Sequence, residues 1–180
     1  MNNFVYDIPT KVYFGKDQLS HLGEELKKFG NRVLLTYGGG SIKKIGLYDA
    51  VLAEIEKAGL ELFELSGIEP NPRVTSVNEG VRLCRKHGLT AVLAVGGGST
   101  IDCAKVVAAG VSYEGDAWDL VSKKADVISV LPVFSVLTLS ATGSEMDPTA
   151  VISNMDTNDK IGLKHPDMRP VASFLDPEYT

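Results

Sequence analysis

At 180 residues with 44% hydrophobic side chains, the chain is long enough for one domain with a real core and too short for two large ones. Its net charge of −5 argues against a nucleic-acid partner, which requires a basic face, and no apolar run reaches the roughly 18 residues of a membrane span. Residues 1–7 show no basic stretch followed by an apolar one, so no secretory leader is expected. Cys84 and Cys103 stand in no metal-ligand spacing. They read as reduced thiols rather than a disulfide, which points to a cytoplasmic protein.

Short β-branched runs alternate with amphipathic segments along the chain. Residues 11–14 read as a strand closed by Gly15. Asp17 is the expected N-cap of a helix running towards Phe29, with Leu19, Leu22 and Leu26 at helical spacing and Gly30 as its stop. Residues 32–37 form the next expected strand, followed at once by Gly38-Gly39-Gly40-Ser41. A second helix is expected over 47–58, stopped by Gly59, and a third strand over 61–65. Pro70 and Pro72 stiffen the 67–72 loop. A helix over 74–87 ends at Gly88, and the apolar run 91–95 is a buried strand. After residue 110 the rhythm loosens. Residues 127–136 are apolar but broken by Pro132, 150–153 is a short strand-like piece, and 171–175 is the last expected strand. Strands separated by helices in this way imply βαβ units and a parallel sheet.

Three motifs can carry chemistry. In the first, Gly96-Gly97-Gly98-Ser99-Thr100-Ile101-Asp102, a buried strand meets a helix start. Free N–H groups and the positive end of the helix dipole favour an anion there. A plain turn capped by Ser99 needs only one glycine, so three favour a pyrophosphate seat built from Gly97, Gly98 and Ser99. Asp102 lies in the first helical turn. The second motif, Gly38 to Ser41, also ends a strand and lies at the same carboxyl edge of a parallel sheet. Two such turns suit a ligand with two ends, such as a dinucleotide. Neither has the G-x-G-x-x-G spacing, and no acidic residue lies between Tyr37 and Tyr48 to bind ribose hydroxyls. Ser41, Lys43 and Lys44 stand there instead, which leans modestly towards NADP over NAD. The third motif, residues 137–145, gathers hydroxyls that alone would read as a self-satisfied polar loop. His21 and His87 read as structural, and His165 reads as a loop residue rather than as a metal ligand. Lys160 reads as either a surface lysine or a cationic clamp.

Taken together, residues 9–16, 37–41, 67–72, 96–105, 141–145 and 173–177 resemble the N-terminal half of an iron-containing (group III) alcohol dehydrogenase. The resemblance is greatest to the branch of NAD(P)H-dependent butanol dehydrogenases and broad-range aldehyde reductases. It implies an α/β, Rossmann-like parallel sheet flanked by helices with a small additional β element. Residues 1–180 would be the cofactor domain, and an all-helical metal domain would follow it in the family. On this resemblance Gly97, Gly98 and Ser99 hold the pyrophosphate. Gly38, Gly39, Gly40 and Ser41 border the adenosine ribose with Asn71 close by. Thr138, Leu139 and Thr142 approach the cofactor across the cleft, and Lys160 contacts it near the nicotinamide ribose. Gly39 stands where an Asp favours NAD in the family, which again weakens strict NAD dependence.

The family's metal ligands, one Asp and three His for iron or zinc, belong to the helical domain beyond residue 180. The chain's end coincides with that boundary and reads as that of a fragment or split product. The resemblance therefore implies a protein that reversibly transfers hydride between nicotinamide and a primary alcohol or aldehyde of the butanol type. This chain alone is expected to bind cofactor weakly without turnover. A dimer through the N-terminal strands is also implied. The alternatives are a non-catalytic nucleotide-binding or assembly module and a zinc polyol dehydrogenase relative.

Overall fold

A computed structural model describes residues 8–180; residues 1–7, read above as no secretory leader, lie outside them. In chain order the elements are β1 (Lys11–Phe14), α1 (Leu22–Lys27), β2 (Arg32–Tyr37), α2 (Ser41–Lys44), α3 (Leu47–Lys57), β3 (Glu61–Leu65) and α4 (Val74–His87). They continue with β4 (Ala91–Gly96), α5 (Gly98–Gly110), α6 (Ala117–Val121), β5 (Val133–Leu137), β6 (Thr149–Asn154), β7 (Asp159–Lys164) and β8 (Ala172–Leu175). Six strands pair in the order β1-β8-β5-β4-β2-β3, every pairing parallel. The other two, β6 and β7, form a separate antiparallel hairpin. The α/β fold with a small extra β element is the one the sequence implies.

The apolar strands follow from burial on both faces. Along β4, Val92 and Ala94 pack on the side of α4, α5 and the hairpin. Ala91, Leu93 and Val95 face α1 and α3 on the other side. Alternation in β2 does the same, with Leu34 on one face and Val33 and Leu35 on the other. Helix α4 stops where Gly88 takes a left-handed φ of 59°, a conformation that glycine adopts without a Cβ penalty. No helix is long and apolar enough to cross a membrane among the described residues.

Several local expectations are corrected. Asp17 is not a helix cap: its φ is 62° and its side chain makes no cap bond. Its carbonyl instead accepts from the Ser20 N–H and hydroxyl, closing a 3₁₀ turn over Gln18–His21. The helix proper starts only at Leu22 and ends at Lys27, short of Phe29. The apolar run 127–136 becomes a strand only beyond Pro132, which lacks the N–H a ladder requires, and β5 begins at Val133. Residues 150–153 prove to be part of a full hairpin. The short helices α2 and α6 were not anticipated; α6 is capped by Asp116, which accepts from the Trp118 N–H.

Candidate cofactor cleft at the carboxyl edge of the sheet

Strands β2 and β4 are neighbours, and both glycine-rich turns leave from their carboxyl ends. After β2 the chain turns into α3 on one face of the sheet, and after β4 into α5 on the other. The crevice between two such strands is where open α/β sheets hold ligands. Helix α5 starts at Gly98, with Gly97 extended at the N-cap position, two residues earlier than a Ser99 cap would place it. Gly98 and Ser99, in the first turn, have no helical carbonyl behind them to accept their N–H groups. The dipole of this 13-residue helix adds its positive end at the same point.

The structure gathers the predicted site residues from distant parts of the chain. Asn71, in the left-handed region at φ 56°, donates its N–H to the Ser99 hydroxyl at 3.3 Å. The Lys160 ammonium, on β7, donates to the Asn71 side-chain oxygen at 2.7 Å. Loop 67–72 is fastened to the other turn as well, since Gly67 and Ile68 donate to the carbonyls of Gly38 and Tyr37. The loop therefore bridges both glycine turns. Thr138 donates its N–H to the Gly96 carbonyl at 3.1 Å, which sets the third motif beside the first. Leu139 lies over Gly97, where an added Cβ would meet its side chain at 3.5 Å; at Gly98 a Cβ would come within 2.5 Å of the Thr142 hydroxyl.

Asp102 is engaged within the protein. One carboxylate oxygen accepts from the Ser144 hydroxyl at 2.6 Å and the other from the Val151 N–H at 2.9 Å. Burial raises its pKa against the lowering effect of those two bonds. One turn on, Lys105 is fully buried. Burial pushes its ammonium down, opposed first by the hydrogen bond to Asp147.

Gly38, Gly39, Gly40 and Ser41 form the second turn. Gly40 takes a φ of 101°, and nothing lies within 4 Å of an added Cβ at Gly39 or Gly40. An acid does stand near this turn, and linear reading missed it because it lies on β3. Glu64 accepts from the Tyr37 and Tyr48 hydroxyls, both at 2.7 Å, and the Tyr48 pKa is raised to about 12, chiefly by that hydrogen bond. The Lys43 ammonium lies 5.2 and 4.4 Å from the Tyr37 and Tyr48 ring centroids, at cation–π distance.

The remaining polar candidates have structural partners. His21 stacks on Tyr13 and His87 lies against Phe63. His165 accepts from the Asp167 N–H and caps a 3₁₀ turn. Both cysteines are free and buried, and burial pushes the Cys84 thiol up to about 12. Among the described residues no three His, Cys, Asp or Glu side chains gather into a set that could hold a metal ion.

Residues 9–177 match the iron-containing alcohol dehydrogenase family. The chain belongs to that family. It is 57% identical over 180 residues to the NADH-dependent butanol dehydrogenase A of Clostridium acetobutylicum, covering all of this chain and 46% of that protein. It is 42% identical over 183 residues to the NADPH-dependent aldehyde reductase of Escherichia coli, again covering all of this chain and 46% of the relative. The crystal structure of NADH-dependent butanol dehydrogenase A from Thermotoga maritima superimposes with a TM-score of 0.93 at 48% identity, over 98% of this chain and 45% of that one. The chain thus spans less than half the length of these relatives.

Proposed function

We propose that residues 1–180 form the nicotinamide-dinucleotide-binding part of a metal-dependent alcohol dehydrogenase acting on primary alcohols or aldehydes of the butanol type. The observation that carries this reading is the meeting of Asn71, Ser99 and Lys160 between two glycine turns at a switch point of the sheet. The C. acetobutylicum and E. coli relatives are named for NADH- and NADPH-dependent reactions of alcohol or aldehyde type, which supports it.

The residues fit a dinucleotide. Gly97, Gly98 and Ser99 would hold the pyrophosphate on unpaired N–H groups. Gly38 to Ser41 would border the adenosine ribose, where Gly39 and Gly40 leave open space. Thr138, Leu139 and Thr142 would wall the cleft opposite, and Lys160 would move from Asn71 to the ribose near the nicotinamide. Asp102 would act by holding the 144–151 segment, since both its oxygens are taken. When bound, the nicotinamide supplies or accepts the hydride. The described residues offer no set that fits a metal, so none is assigned to this chain.

For the 2′ position two influences oppose each other. Exposed Ser41 and Lys44 favour the phosphate of NADP, whereas the Glu64 carboxylate beside Tyr37 opposes it. Exposed charges contribute little each, so NADH and NADPH should bind within about tenfold of one another. Fluorescence titration of the purified chain with both cofactors tests the proposal. Saturable binding of either, without metal-dependent alcohol oxidation, is expected. Absence of binding, or measurable oxidation by this chain alone, would overturn it. Self-association through the sheet-edge strand β1, which exposes Val12 and Phe14, is part of the same proposal and is read by sedimentation.

A further inference from the structure

The Lys105 side chain enters the protein interior rather than solvent. Its ammonium has four acceptors, each at 2.9 Å: the Ser144 hydroxyl, the Asp147 carbonyl, an Asp147 carboxylate oxygen and the Thr149 carbonyl. All lie between Ser144 and Thr149, where the chain passes from β5 into the first strand of the hairpin. Asp102, three residues earlier on α5, accepts hydrogen bonds from the Ser144 hydroxyl and the Val151 N–H. The Asp147 carboxylate also accepts from the Thr149 N–H. Thus residues 144–151 hang from two side chains on one turn of α5. The carboxylates influencing the ammonium are Asp147, Asp102 and Glu145.

This segment joins the two parts of the cleft's far wall. Before it come Thr138 and Thr142; it runs into the hairpin, whose second strand carries Lys160. The hairpin is further seated by the Ser153 N–H on the Pro72 carbonyl at 2.9 Å. The turn from which the segment hangs lies directly behind Gly98 and Ser99. A buried lysine paired with a partly open carboxylate is weak grounds for stability, because desolvation of the ammonium offsets the attraction. Its directional bonds instead define where the attached segment sits.

We propose that Lys105 is a positioning residue for the nucleotide cleft. With Asp102 it fixes the 144–151 segment to α5, and so sets the distance between the phosphate turn and the wall bearing Thr138, Thr142 and Lys160. The proposal rests on the cofactor reading above for its link to the nucleotide.

Hydrogen–deuterium exchange on the purified chain, paired with NADH titration, tests it. In Lys105→Met, exchange should rise by about tenfold in 142–151 and 159–164, while β4 and β5 keep wild-type protection. NADH binding should weaken by about tenfold. Asp147→Ala, at a residue partly open to solvent, should produce the same pattern at about threefold, and Asp147→Asn should restore most of it. Wild-type exchange in 142–164 of folded Lys105→Met would overturn the proposal. So would exchange raised equally throughout the sheet, the mark of a merely structural lysine. If Lys105→Met does not fold, Asp147→Ala decides, and unchanged exchange there overturns the clamp. A wild-type chain that binds no NADH overturns the cofactor reading and the link to the cleft, whereas unchanged exchange overturns the clamp alone.

Discussion

At Gly98 an added Cβ would sit 2.5 Å from the Thr142 hydroxyl, whereas at Gly39 it would meet nothing within 4 Å. The two glycine turns share a sheet edge but differ in what surrounds them. The turn after β4 is covered by Leu139 and Thr142 and anchored behind by Asp102 and Lys105. The turn after β2 is open, and beside it buried Tyr37 and half-buried Tyr48 donate to exposed Glu64. A chemically constant group such as a pyrophosphate suits the closed turn. The open turn can vary without disturbing its surroundings, and it is where one cofactor would be distinguished from another.

Substitutions can break this contrast. Gly98→Ala should weaken NADH and NADPH alike by about tenfold or more, because displaced Thr142 and a misdirected N–H remove charge-assisted bonds; equal binding by wild type and variant in a fluorescence titration would refute the closed turn. Gly39→Asp should weaken NADPH by about tenfold relative to NADH through repulsion of the 2′-phosphate, read as a ratio of dissociation constants. Glu64→Gln should move that ratio the other way by about twofold. Gly39→Ala should leave both constants within about twofold, as expected of an open surface position.

Acid offers a control remote from both turns. Glu25 is buried, which alone would raise its pKa, but Lys11, Lys28 and Tyr13 outweigh burial and hold it at about 2 instead of 4.5. The stability it contributes is full above pH 4.5 and lost as pH falls towards 2. Exchange at β1 should therefore rise in that window before exchange at β4. The reverse order would show that the centre of the sheet, not its edge, carries the acid-sensitive contacts.

The strands of the sheet were legible because parallel strands buried on both faces are apolar throughout, as in 91–95 and 33–35. The glycine turns were legible because their chemistry is local. Glu64, Lys105 and the hairpin's second strand were not, for a common reason. Glu64 meets Tyr37 across 27 residues. Lys105 finds acceptors 39 to 44 residues away, and no local pattern marks a lysine as buried. Strand β7, Asp159-Lys160-Ile161-Gly162-Leu163-Lys164, mixes charges with a glycine and declares itself only through its pairing with β6. Asp17 misled because an acid beside a helical pattern signals a cap, while its actual left-handed backbone cannot present one.

Chemical-shift mapping by ¹H–¹⁵N NMR on the purified chain during NADH titration tests the central claim most directly. The cleft predicts that the largest shifts fall on Gly38–Ser41, Asn71, Gly97–Ser99, Thr138–Thr142 and Lys160, with β1 and β8 unmoved. Shifts scattered over the surface, or concentrated away from the two glycine turns, would contradict it.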